Sequence, residues 1–174
     1  MRRFIVLLLA ASGTVGCAPI GELPTKRLAQ ATLQSADGLP AGTAQVLAAG
    51  DRLSLAIAAA GISQGPHGIH LHAVGLCEGP AFTSAGAHLN PAMRQHGRDN
   101  PAGSHLGDLP NLVADSAGTG TLTIALPGTR AELEKALFDG DGTAVVIHAS
   151  PDDYRTDPTG NSGGRIACGV LKRN

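Results

Sequence analysis

Between residues 28 and 73 the chain alternates apolar and polar side chains in short runs, and glycine, proline or aspartate interrupts each run before it reaches helical length. In residues 52–58 Leu53, Leu55 and Ile57 take every second position. A period of two puts all three on one face of an extended strand, whereas a helix face repeats every 3.6 residues or so. Residues 29–33, 42–47, 111–114, 120–125 and 165–171 read as strands on similar grounds. The run TAVVIH at 143–148 is β-branched at its centre and reads as a buried strand. One short helix is expected over 129–138, because Thr129 followed by Glu132 has the spacing at which hydroxyl and carboxylate satisfy each other's free backbone N–H. Many short strands with 24 glycines and 11 prolines specify an all-β domain, closed as a sandwich or barrel.

Two stretches lack any period: 75–108, dense in Gly, Pro, Asn and His, and 149–164. Irregular loops of such length usually carry function. Composition narrows which function. The 174 residues make one domain, and 13 Lys plus Arg against 14 Asp plus Glu leave no basic face for a phosphate backbone. Nucleic acid is therefore not the expected partner.

Residues 1–16 begin with Arg2 and Arg3, continue through FIVLLLAA and end in small residues, the order of a secretory signal peptide. The apolar run is too short to span a bilayer by itself. The string T-V-G-C at 14–17 resembles a bacterial lipoprotein signal, cleaved before Cys17 with lipid attached there, although Thr14 stands where leucine is usual. Ordinary cleavage to a soluble exported protein is the alternative. Either way the expected location is the periplasm or cell envelope, with membrane anchoring through Cys17 in the first case. Residues 17–27 read as a tether and 28–174 as the folded domain. Three cysteines in an exported chain leave one over, and lipidation of Cys17 frees Cys77 and Cys168 to pair, with two separate buried thiols as the alternative.

The seven histidines are His67, His70, His72, His88, His96, His105 and His148. On a strand His70 and His72 project from one face and can chelate one ion. The long loop adds His88, His96, His105 and Asp108, three imidazoles and a carboxylate, a set suited to tetrahedral zinc. His148 ends a strand and can return to the first pair. Imidazole nitrogen suits zinc and copper alike. If six histidines and Asp108 serve two four-coordinate ions, seven side chains must fill eight positions, so one histidine has to bridge.

At these residues the sequence resembles the copper/zinc superoxide dismutases of the bacterial exported type. The strings GIHLHAVG (68–75), FTSAGAHLNP (82–91), SHLGDLPNL (104–112), TAVVIHASPDDY (143–154) and TGNSGGRIACGV (159–170) carry the resemblance in order. It implies a Greek-key β-barrel of about eight antiparallel strands with two long functional loops. It implies copper on His70, His72, His88 and His148, zinc on His88, His96, His105 and Asp108, and His88 as the shared bridge. His67 matches a position that is not a ligand. The resemblance further assigns Cys77–Cys168 to the family's disulfide, with Phe82 standing where many eukaryotic members have their cysteine. It makes Asp152 the carboxylate that joins a copper histidine to a zinc histidine, and Arg165 the cation that holds the anionic substrate.

The implied chemistry is dismutation of superoxide to O₂ and H₂O₂ by alternate reduction and oxidation of copper, protecting the cell envelope. Zinc, which is redox-inert, has a structural and electrostatic part. Residues 149–164 offer Arg155 as their base against Asp152, Asp153 and Asp157, so weak or differently placed steering is expected. A metal-buffering protein of the same fold is the rival reading, in which Arg165 has no purpose. A zinc hydrolase is a third reading and fits poorly, because the ligand set carries no motif that pairs a Glu or Ser with it as base or nucleophile. The sequence leaves the oligomeric state open.

Overall fold

The computed structural model describes residues 25–174; the expected leader, Cys17 and most of the tether lie outside the described residues. The strands are β1 (Lys26–Ser35), β2 (Pro40–Ala49), β3 (Arg52–Ala59), β4 (Gly65–His67), β5 (Ile69–His72), β6 (Leu112–Ala114), β7 (Gly120–Ala125), β8 (Ala144–His148), β9 (Arg165–Val170) and β10 (Lys172–Arg173), with one helix, α1 (Arg130–Leu137), between β7 and β8. All pairings between these strands are antiparallel, and the main sheet runs β5-β8-β9-β1-β2-β3-β7, with β10 also on β1. The successive hairpins β1-β2-β3 with β9 returning beside β1 form a Greek key. The ribbon β4–β6 lies beside β7 and leads through Gly68 into β5. It thus occupies the gap between the two ends of the curled sheet.

The expected strands are present: β1, β2 and β3 run longer than expected, β7 matches, and β6 and β8 each start one residue later. The domain start moves, because β1 begins at Lys26, whose partner is Ala48, two residues before the expected boundary at 28. The final strand divides, because Leu171 turns inward, 5% exposed, between β9 and β10. Helix α1 has the expected capping box, with Glu132 N–H donating to the Thr129 hydroxyl and Thr129 N–H to the Glu132 carboxylate.

The core follows from alternation. Leu53, Leu55 and Ile57 of β3 point inward with Leu33 of β1, Val46 of β2, Ile69 and Leu71 of β5 and Ile147 of β8, and Leu133 and Leu137 of α1 close one end. Strand β8 is buried on both faces. Val145 and Ile147 join this core, whereas Ala144 and Val146 face outward into a second cluster with Phe82, Ala85 and Cys168. That outer cover is supplied by the first long loop, tied to β9 by the Cys77–Cys168 disulfide, with Cα atoms 5.7 Å apart and the two cysteines 91 positions apart in sequence.

Leu55 has no exposed surface, so Leu55→Ala removes buried methyl groups and leaves a cavity. Urea unfolding should show a loss of about 2–5 kcal/mol. The same change at Val113, 64% exposed, should shift stability by less than about 0.5 kcal/mol.

Candidate metal centre

The pairing of β5 with β8 decides where the imidazoles go. Ile69 faces Ile147 and Leu71 faces Val145 on the core side, so His70, opposite Val146, and His72, opposite Ala144, project from the outer face. His148 shares that face and is paired with Arg165 of β9. An outer barrel face is ordinarily wet, yet His70, His72 and His148 are all at most 3% exposed. The loops account for this. Leu71 N–H donates to Gly107 O at 3.0 Å and Leu89 N–H to Leu71 O at 2.8 Å. His72 and His88, and His70 and Asp108, form bridge pairs. The first loop thereby covers the free edge of β5, which would otherwise present unpaired backbone groups, and carries its own histidines over the strand pair.

Two groups of donor atoms result, each within 4.8 Å of one another: one from His70, His72, His88 and His148, the other from His70, His88, His96 and Asp108. In the first, His70 Nδ1 and the Nε2 atoms of His72, His88 and His148 are buried without any hydrogen-bond partner. The opposite ring atoms are engaged. His72 Nδ1–H donates to Gly86 O at 2.9 Å and His148 Nδ1–H to Gly163 O at 3.2 Å. His70 Nε2–H donates to Asp152 Oδ2 at 2.8 Å. Each ring is thus held in the tautomer that leaves an acceptor lone pair facing its neighbours. Four orphaned buried lone pairs aimed at one point are expensive unless a cation takes them.

His105 lies beside the second group but does not join that compact set. The Nδ1 atoms of His88, His96 and His105 each lie 3.0 Å from Asp108 Oδ1, and those of His88 and His105 are 3.4 Å apart. Ligands about 2.0–2.1 Å from a tetrahedral zinc sit about 3.4 Å from each other, close to this spacing. Asp108 is turned by its other oxygen, which accepts from Gly97 N–H at 2.8 Å and His105 N–H at 3.0 Å. The His88 ring presents Nδ1 to this group and Nε2 to the other.

Asp152 comes from the second loop and its carboxylate spans the two groups, accepting from His70 at 2.8 Å and His96 Nε2 at 3.0 Å. Its neighbour Asp153 is exposed and bonds Thr156 and Asn161. Asn111 grips the Asp152 backbone from both sides, donating to its carbonyl at 3.0 Å and accepting its N–H at 2.8 Å. Gly160 is required here: it has φ +64°, and a Cβ would overlap the Asp152 carboxylate and reach 2.5 Å from His96 Nε2. Sequence reasoning missed Asn111, Gly160 and the carbonyls of Gly86 and Gly163, because none bears a metal-ligating side chain; the one visible signal is the run of turn residues in TGNSGG.

His67 stays apart from both groups. Its Nδ1–H donates to His148 O at 2.7 Å, and its Nε2 lies 2.9 Å from Ser63 O. Arg165 is half-buried beside His148 and donates to Phe82 O and Gly86 O, both at 2.6 Å. The disulfide three residues on fixes the loop that supplies those carbonyls.

Burial is the main influence on the outward rings, driving His72 from 6.5 to about 2, His148 to about 3 and His88 to about 4, with backbone or Asp108 hydrogen bonds opposing. His96 goes the other way, raised to about 9, because its partners Asp108 and Asp152 outweigh burial. Burial likewise opposes the ionised forms of Asp108 and Asp152, yet their histidine partners hold both carboxyls well below the usual range. Neutral imidazoles and ionised carboxylates are the forms that bind cations.

These features define a two-cation histidine centre on an antiparallel β-barrel. Residues 41–171 match the family model described as copper/zinc superoxide dismutase. The chain is 47% identical over 105 residues to superoxide dismutase [Cu-Zn] 1 of Aquifex aeolicus, covering 59% of this chain and 62% of that protein. It is 40% identical over 148 residues to the Cu-Zn enzyme of Caulobacter vibrioides, covering 83% and 85%. The crystal structure of a superoxide dismutase-like protein from Bacillus subtilis superposes with a TM-score of 0.78 at 35% identity, covering 84% of this chain and all of that one. The chain belongs to the copper/zinc superoxide dismutase family, whose metals are copper and zinc and whose substrate is superoxide.

Without metal, His72, His88 and His148 take up protons near pH 6.5 when unfolded but only at about pH 2–4 when folded. The unfolded chain then holds more protons, so the contribution of these three rings is full above pH 6.5 and falls as pH drops, on the order of 1.4 kcal/mol per proton and pH unit. The raised His96 acts oppositely, losing its contribution as pH rises through about 9. Urea unfolding of metal-free protein should give a clearly lower midpoint at pH 5 than at pH 7; an equal or higher one contradicts this assignment.

Proposed function

We propose that this chain dismutates superoxide at a paired centre in which His70, His72, His88 and His148 hold copper, and His88, His96, His105 and Asp108 hold zinc, with His88 shared. The observation that carries this reading is the set of four partnerless nitrogens, His70 Nδ1 and Nε2 of His72, His88 and His148. They are the lone pairs left over once every other ring atom of those residues has a neighbour. Bound copper supplies the one-electron couple that oxidises one superoxide and reduces the next, with zinc redox-inert at its side. Everything else falls to the protein.

Arg165 keeps its charge, its pKa only lowered by burial, and its planar fork suits a small oxyanion beside His148. His88 has Nε2 free of hydrogen bonds and Nδ1 against Asp108, so its imidazole is placed to take up and give back the proton that peroxide formation needs. Asp152 holds His70 and His96 in fixed tautomers, as outer carboxylates of metal histidines do. We place this activity in the cell envelope: the leader ends at a lipoprotein-type Cys17, and lipid there gives membrane anchoring. The pairing of Cys77 with Cys168 supports an oxidising compartment.

Metal analysis with a superoxide-consumption assay tests the reading. Wild type should carry one copper and one zinc per chain, and His148→Ala should lose copper and turnover while keeping zinc. Arg165→Leu should keep both metals and lose about 10–100-fold in rate, the value of a charge-assisted contact made to the reacting anion. Full metal with no turnover in wild type would favour metal buffering. Because Arg155 is the one base among residues 149–164, the rate should fall only weakly with added salt; a steep fall contradicts that expectation.

A further inference from the structure

Accounting for the outer atom of each proposed zinc ligand leaves one unexplained. His96 Nε2 is bonded to Asp152, His88 Nε2 belongs to the other group, and Asp108 Oδ2 accepts two backbone N–H groups. His105 turns Nδ1 to Asp108 Oδ1 at 3.0 Å, so as a neutral ring ligating through Nδ1 it must carry its proton on Nε2. The charged group facing that Nε2 is Asp157, whose Oδ1 lies 3.9 Å away. The same Oδ1 accepts the backbone N–H of His96, so one carboxylate oxygen touches the main chain of one ligand and approaches the ring of another. Asp157 stands five residues after Asp152 in the second loop, and no step of the proposed chemistry uses it.

We propose that Asp157 is the outer carboxylate of His105: a positioning residue that fixes Nδ1 as the ligating atom and clamps the second loop onto the zinc half of the centre. This rests on the zinc assignment above. On cation binding, Nε2–H of His105 becomes a stronger donor, and Oδ1 closes from 3.9 Å to hydrogen-bond range, about 2.9 Å. Two acids of one loop then serve the two zinc imidazoles that do not bridge, Asp152 for His96 and Asp157 for His105. The acid that sequence reasoning counts only against steering thereby acquires a structural use.

The test uses the full protein with zinc alone. Asp157→Asn retains an oxygen that can accept from His96 N–H, so the loop keeps its anchor, while the charge opposite His105 is lost. Competition with a chromophoric zinc chelator should show about 10–100-fold weaker binding, the usual effect of removing such a partner. Asp153→Asn, changed at an exposed acid that contacts neither group, should bind as wild type does. In zinc-loaded wild type, long-range ¹H–¹⁵N NMR should find the His105 proton on Nε2, shifted downfield and slow to exchange, and Asp157→Asn should move it upfield. Zinc affinity within twofold of wild type together with an unmoved His105 resonance overturns the proposal. A wild type that fails to bind zinc overturns the underlying zinc assignment instead.

Discussion

One carboxylate joins what the barrel positions to what the loops position. Asp152 accepts from His70, fixed on strand β5, and from His96, carried by the first loop, while itself belonging to the second. All three side chains are buried, so neither ring can turn without leaving a desolvated carboxylate oxygen unpaired, at a cost of the order of 1–3 kcal/mol or more for a charged group. The loops contain little regular structure of their own, and their order comes from such contacts. The grip of Asn111 on the Asp152 backbone and the bare Gly160 beside its carboxylate serve the same end.

Beneath that contact lies the pleat. Because β5 is a strand, Ile69 and Leu71 enter the core and His70 and His72 leave it. The centre is consequently built on the outside of a finished barrel, where the apolar core need accommodate no polar group. Core and centre are separable in energy: a cavity at Leu55 weakens the frame, whereas the orphaned imidazoles are a local cost that a bound cation relieves. The disulfide belongs to the second system more than the first, since it joins the loop that supplies Phe82 O and Gly86 O to the strand that bears Arg165.

How much of this could be read in advance depended on the range of the interaction concerned. Leu53, Leu55 and Ile57 declare their strand through a period of two, and Thr129 with Glu132 marks the start of α1, because both signals are local. Strand β4 is three residues with Pro66 at its centre, too short for a period, and owes its existence to β6. The clustering of ligating side chains indicated two metal sites without coordinates. Which nitrogen of each ring faces its neighbours was illegible, since Gly86 O and Gly163 O decide it and glycine carbonyls leave no mark in a sequence. Asp152 and Asp153 are adjacent and chemically identical. Only the register of the second loop over the first makes one buried and the other exposed.

The two halves of the centre differ in charge as well as in residues. The half around His72 and His148 offers neutral rings, kept uncharged by burial, with the cationic Arg165 beside His148 and Asp152 reaching it only through the outer nitrogen of His70. The half around His96 and His105 contains Asp108, and Asp152 and Asp157 approach its rings from outside. A divalent ion on the second half is therefore largely neutralised by carboxylates and has little remaining attraction for an anion. An ion of the same charge on the first half meets no carboxylate directly, only Asp152 behind His70, and Arg165 adds to its field. A small anion entering from the Arg165 side is thus drawn more strongly to the first half, and the asymmetric placement of acids favours the proposed division into a reacting and a supporting site before either metal's own chemistry is considered.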